Sequence, residues 1–173
     1  MCIRDRLQAA RFTRHITEGL QYLHSLSIIH VNIAPENLLL AAGHQEIKIA
    51  GFSLARYIET GNNLESLPLS PEYMAPEVVQ LNPLTTGADM WSVGATILFM
   101  LTGTSPFSAT TRDELVSDIL TNRLSSECNS LMTMLSLSAD CYDVVFKGLL
   151  ISNPRKRLTG HQCQRHRWLQ SPN

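Results

Sequence analysis

The stretch IIHVNIAPENLLL, residues 28–40, is apolar at both ends and polar in its centre, where His30, Asn32, Glu36 and Asn37 stand close together. Its tail enters NLLLAA (37–42), and a second apolar run, EIKIAGF (46–52), follows after Gly43 and His44. Two short apolar runs separated by a polar turn predict a hairpin. Upstream, Phe12, Ile16, Leu20 and Leu23 recur at steps of three and four, which predicts a one-faced helix from Leu7 to Leu26. Downstream, Tyr57 to Pro71 holds Gly61, two asparagines and two prolines with little apolar periodicity. That segment is expected to be an exposed loop, and long loops in compact domains are often functional.

Beyond it, TTGADMWSVGATILFMLTG (85–103) is apolar on every side and polar only at its start, which predicts a helix in the centre of the core. TRDELVSDIL (111–120) places Glu114 three residues after Thr111, and TGHQCQRHRWL (159–169) places Gln162 three after Thr159. Both read as capping boxes, in which hydroxyl and carboxyl or amide satisfy orphan backbone N–H groups. A further helix is expected in SADCYDVVFKGLL, starting after Ser138.

Length and composition set limits. The 173 residues, 44% hydrophobic and 17% charged, suffice for one domain with a real core. A net charge of -1 without any Lys/Arg block argues against nucleic acid or an anionic membrane as a partner. The most apolar segment, Trp91 to Leu101, falls well short of the ~20 residues a bilayer requires. Cys2, Cys128, Cys141 and Cys163 show no metal-ligand spacing and read as buried thiols of a reducing, cytoplasmic compartment. MCIRDR has no signal-peptide pattern. Residues 1–6 are expected to be an extension, 7–169 the domain and 170–173 a tail. The histidines at 15, 24, 44, 161 and 166 read as surface or helix-end residues, and Lys147, Arg155, Lys156, Arg165 and Arg167 as a solvated basic face.

Taken in order, IIHVNIAPENLLL, IKIAGFSLAR, SPEYMAPEVV, DMWSVGATILFMLTGTSPF and LLISNPRKRLT resemble the large C-terminal lobe of a eukaryotic protein kinase. The likeness covers Leu7 to Leu169. TTGADMW and TGTSPF are similar to the calcium/calmodulin-kinase group, particularly the death-associated, myosin light-chain and giant muscle kinases. The resemblance implies a mainly α fold, a helical bundle with a small β-hairpin at the catalytic loop. It also implies a small N-terminal lobe, with its glycine-rich loop and strand lysine, that these residues lack. On that footing the parent protein is expected to extend N-terminally.

The family's catalytic loop reads H-R-D-x-K-x-x-N. Here Asn32 stands at the position of the base Asp, and an amide cannot take a proton from a substrate hydroxyl. Ala34 stands at the lysine position and Val31 at the arginine position. Gly51 occupies the place of the magnesium-binding Asp of D-F-G, with Ser53 in place of the glycine. Asn37 is retained, as a metal ligand or as a cap of local backbone groups. Leu39 matches a residue under the adenine ring, and as a strand leucine reads otherwise as core. Ser70 matches a Thr that touches the catalytic Asp, and reads either as a substrate-loop residue or as the donor of a local turn bond. His30 and Phe52 match residues that stack inside the lobe, Asp89 one that tethers the catalytic loop, and Glu77 and Arg157 a buried ion pair.

Three readings follow. The first is a pseudokinase that binds partners or regulates a linked domain. The second is an active Ser/Thr kinase with unorthodox residues, Glu36 being the only acidic candidate in the loop. The third is a non-catalytic interaction module seen as a fragment, or an incorrectly assembled or decaying sequence without a selected role. ATP and Mg²⁺ are implied by the resemblance alone.

Overall fold

The computed structural model describes residues 6–41, 43, 45–58 and 70–170. Helix α1 (Arg6–Ser25) turns Ala9, Phe12, Ile16 and Leu20 inward, as the three- and four-residue spacing dictates. Thr13 and Thr17 are buried on the same face, and their hydroxyls bond back to Ala9 O at 2.8 Å and Thr13 O at 2.9 Å. No hydroxyl on that face is therefore left without a partner. Arg6, assigned on sequence to the extension, is already helical, and its guanidinium donates to Ser136 O at 2.8 Å.

The hairpin is antiparallel: β2 (Leu38–Leu40) pairs with β3 (Ile47–Ile49), Leu38 opposite Ile49 and Leu40 opposite Ile47. A second two-stranded sheet was not anticipated. β1 (Ile28–Ile29) pairs with β4 (Arg56–Tyr57), so Tyr57, expected to open the long loop, is a strand residue. Most of that loop, residues 59–69, lies outside the described residues, as do His44, Cys2 and the 171–173 part of the tail.

After the short helix α2 (Pro76–Val79) comes α3 (Thr86–Thr102), buried along nearly its whole length and ended by Gly103 in a left-handed conformation. Its neighbours include α1, β1 and, later in the chain, the helical segments Ser126–Leu135 and Asp143–Leu149. Gly94 is what permits the closest approach: a Cβ there would sit 2.9 Å from Leu149 Cβ. Trp91 stacks on Phe107 with centroids 5.8 Å apart.

Both expected capping boxes are present, on α4 (Arg112–Thr121) and α7 (Gly160–Gln164). Thr111→Ala removes the acceptor of Glu114 N and should cost about 1 kcal/mol in a thermal melt. Thr110→Ala, one residue earlier and exposed, should leave the melt unchanged.

Helix α5 (Ser126–Leu135), which the sequence does not announce, buries only Cys128 in full. The segment after Ser138 is helical as expected, but divided: α6 (Ala139–Tyr142) passes into a π-helix at Asp143–Leu149. The chain closes with α8 (Arg167–Gln170). Cys128, Cys141 and Cys163 are free and buried, and burial pushes the last two thiols up to about 12, which keeps them protonated. Among the described residues no helix is long and apolar enough to cross a membrane.

Candidate active site

Asp89 organises the site. One turn into α3 and 1% exposed, its carboxylate accepts His30 N at 2.9 Å and Val31 N at 2.8 Å. His24 Nε2 lies 2.8 Å from the same carboxylate. His24 sits in the last turn of α1, a helix-end residue as expected, and its side chain, 12% exposed, faces Asp89. The N–H groups of residues 30 and 31 are fixed in direction, and Val31 is held at φ 72°. A β-branched residue is costly in that left-handed region, so the tether holds a strained backbone. Val31 is itself 6% exposed and part of the main core.

His30 is wholly buried, its Nε2 2.8 Å from Ala50 O, and its ring meets Phe52 edge-on with centroids 5.0 Å apart. Phe52 nevertheless remains 48% exposed, so it flanks the interior rather than belonging to it.

Asn32 accepts Ser70 N on its side-chain oxygen at 3.3 Å, and the Ser70 hydroxyl donates to Glu36. Ser70 is thus drawn to both residues, and the acidic candidate Glu36 is engaged with a hydroxyl. Ala34 is buried against Tyr73 and Ala95, with Phe99 beside them. Where the family carries a lysine, this chain has a small apolar contact. Burial pushes the neighbouring Tyr73 hydroxyl up to about 12, so it stays neutral.

Asn37 ends the 3₁₀ turn Pro35–Asn37, and its side-chain N–H donates to Asn32 O at 2.8 Å. Gly51, opposite, has φ 74° and ψ 40°. A Cβ built on Gly51 would overlap the amide oxygen of Asn37 and lie 2.5 Å from its Cγ. Ser53 is exposed, as is Leu39 at 54%, which corrects the reading of Leu39 as core.

A magnesium ion held against phosphates is bound through oxygen ligands, usually including one or two carboxylates. Position 51 has no side chain, the Asn37 oxygen is turned to the Gly51 backbone, and Glu36 bonds Ser70. Among the described residues no three His, Cys, Asp or Glu side chains group as a metal site. The residues present do not fit magnesium at this station.

On the far side of α3, Glu77 and Arg157 form a buried bidentate pair, Nη1–Oε1 2.6 Å and Nη2–Oε2 2.7 Å. The guanidinium also donates to Gly87 O, Ile151 O and Ser152 O and lies 5.1 Å from the Trp91 ring centroid.

The sequence missed two contacts here, His24 to Asp89 and Ser70 to Glu36. The partners are far apart in the chain and share no local spacing; only the tertiary fold brings them together.

The fold and this arrangement of loop, tether and ion pair are those of a protein kinase large lobe. The protein kinase domain family matches residues 2–169, and the chain belongs to it. It is similar to serine/threonine-protein kinase 17A of Oryctolagus cuniculus, 33% identical over 97% of this chain and 43% of that one. It is also similar to death-associated protein kinase dapk-1 of Caenorhabditis elegans, 36% identical over 97% of this chain and 12% of the relative. Among solved structures, titin kinase and its flanking domains superposes with a TM-score of 0.85 at 30% identity, covering 97% of this chain and 30% of that one. The chain spans less than half the length of these relatives.

Proposed function

We propose that this chain is a kinase-fold lobe that binds protein partners or regulates a linked domain without transferring phosphate. The observation that carries the reading is the catalytic loop itself: an amide, Asn32, stands at the base position and is bonded to the backbone of Ser70. An amide offers no basicity to a substrate hydroxyl. The absent carboxylate at Gly51 supports the same reading, because phosphoryl transfer depends on positioning and on electrostatic neutralisation by the metal. Losing one well-placed electrostatic group commonly costs ~10²-fold or more, and such losses do not simply add. The scaffold residues His30, Asp89, Glu77 and Arg157 keep their contacts, which suits a lobe used for its surface. Tyr22, Leu39, Leu40 and Phe52 give that surface exposed apolar area. Free buried thiols support a cytoplasmic setting.

The alternative, an active Ser/Thr kinase using ATP and magnesium, is favoured by the names of the relatives. The longest reading frame containing this chain should be purified and assayed for phosphate incorporation from ATP·Mg²⁺ into mixed Ser/Thr peptides. No incorporation above a protein-free blank is expected. Incorporation that disappears in Leu39→Asp, a change at an exposed position beside the nucleotide station, would sink the proposal in favour of the alternative.

A further inference from the structure

We propose that Ser70 is a phosphorylation site for a proline-directed Ser/Thr kinase, and that the phosphate unlatches Ser70 and the turn after it from the catalytic loop. This goes beyond the proposed function and does not depend on it. Ser-Pro pairs stand at residues 70, 105 and 171. A kinase that selects proline has to reach the ring beside the serine. Pro71 is exposed and Ser70 half-buried. Pro106, by contrast, is buried, and the carbonyls of Ser105 and Pro106 accept Ser125 Oγ at 3.2 Å and Ser125 N at 2.8 Å. Ser171 lies outside the described residues. Among the described residues, Ser70 is therefore the Ser-Pro serine whose proline is open to a second protein.

Two bonds latch Ser70 to the loop: its N–H donates to Asn32 Oδ1 at 3.3 Å, and its hydroxyl donates to the Glu36 carboxylate. The second bond depends on the hydroxyl proton, which phosphorylation removes. The serine oxygen bonds the γ-phosphorus of ATP, the β–γ bridging bond breaks as ADP leaves, and the proton goes to the base of the modifying kinase. The product carries a charge of about −1.5 to −2 where Glu36 had a donor. A phosphate orders a segment when arginines receive it and loosens the segment when it meets carboxylates. Residues 28–40 contain neither Lys nor Arg, and the family's Arg and Lys positions hold the buried Val31 and Ala34. Glu72 follows in the first turn after Ser70 and adds a further negative charge. The hydroxyl has to leave Glu36 before a kinase can take it, so modification acts on the unlatched form and then prevents its return.

The full chain is incubated with a purified proline-directed kinase and ATP·Mg²⁺ beside a kinase-free blank, and the phosphate is located by mass spectrometry. It should be found on Ser70 and not on Ser105. An unmodified Ser70, or phosphate at Ser105 alone, overturns the proposal. Amide hydrogen exchange then reads the latch at Ser70 and Tyr73, whose N–H groups bond Asn32 Oδ1 and Ser70 O. Both should exchange about tenfold faster or more after modification, with the centre of α3 unchanged. Glu36→Gln retains an acceptor for the unmodified hydroxyl and removes the charge, so in that background the acceleration should fall to about threefold or less. Equal acceleration in both backgrounds, no acceleration, or the slower exchange that capture by a cation would give overturns the unlatching.

Discussion

Arg157→Leu is expected to be among the most damaging single substitutions in this chain, lowering stability by ~3–5 kcal/mol. The size follows from what the guanidinium leaves behind. Its side chain is 0% exposed, so Glu77, only 6% exposed, would keep a buried carboxylate with no counter-charge. The carbonyls of Gly87, Ile151 and Ser152 would lose their donor as well. Against a typical total stability of about 5–15 kcal/mol, such a loss leaves the fold marginal. Glu77→Leu should cost somewhat less, because Arg157 retains three carbonyl acceptors and the Trp91 ring. The double substitution should be no worse than Arg157→Leu alone, since removing the orphaned carboxylate offsets the second truncation. Denaturant titrations of the three variants check this. Strict additivity, or single losses below about 1 kcal/mol, would show that the pair is not the internal tie its geometry describes.

That tie was legible in the sequence only through resemblance, since Glu77 and Arg157 lie in motifs remote along the chain. What local physics could read came through more directly. The capping boxes at Thr111 and Thr159 needed only a spacing of three. Helix α3 needed only a long apolar run, and the hairpin two apolar runs about a turn. The second sheet escaped because each of its strands is two residues long, too short for any alternation to register. Helix α5 was not read from the sequence either, and it buries one residue in full.

At the site the division is similar. The substitutions at 31, 32, 34, 51 and 53 can be read from the motifs themselves. Their consequences cannot, because they depend on what moves into the space. Ala34 is an apolar contact for Tyr73, Asn32 bonds the backbone of Ser70, and the Asn37 amide closes over Gly51. The chain has filled these vacancies with packing and hydrogen bonds. These contacts give the loop a defined structure of its own, and the proposed non-catalytic reading rests on them.

Asp89 is where that structural role should be measurable apart from any activity. Asp89→Ala leaves the N–H groups of His30 and Val31 without their acceptor, at about 1–3 kcal/mol for each unsatisfied buried group. His24 loses its partner too. Part of the loss is returned when Val31 relaxes from φ 72°, a strain of order 1–3 kcal/mol. The net effect should therefore be roughly 3 kcal/mol. Asp89→Asn is the more telling variant. It keeps the shape, but its single oxygen can serve one of the two N–H groups while its NH₂ confronts a donor at the other position. It should lose most of the stability that alanine loses, without the relaxation a smaller side chain permits. Amide hydrogen exchange supplies the local readout: residues 30 and 31 should exchange much faster in both variants, while the centre of α3 keeps its protection relative to global unfolding. If Asp89→Asn melts like the unmodified chain with both amides still protected, the tether is not what holds the loop.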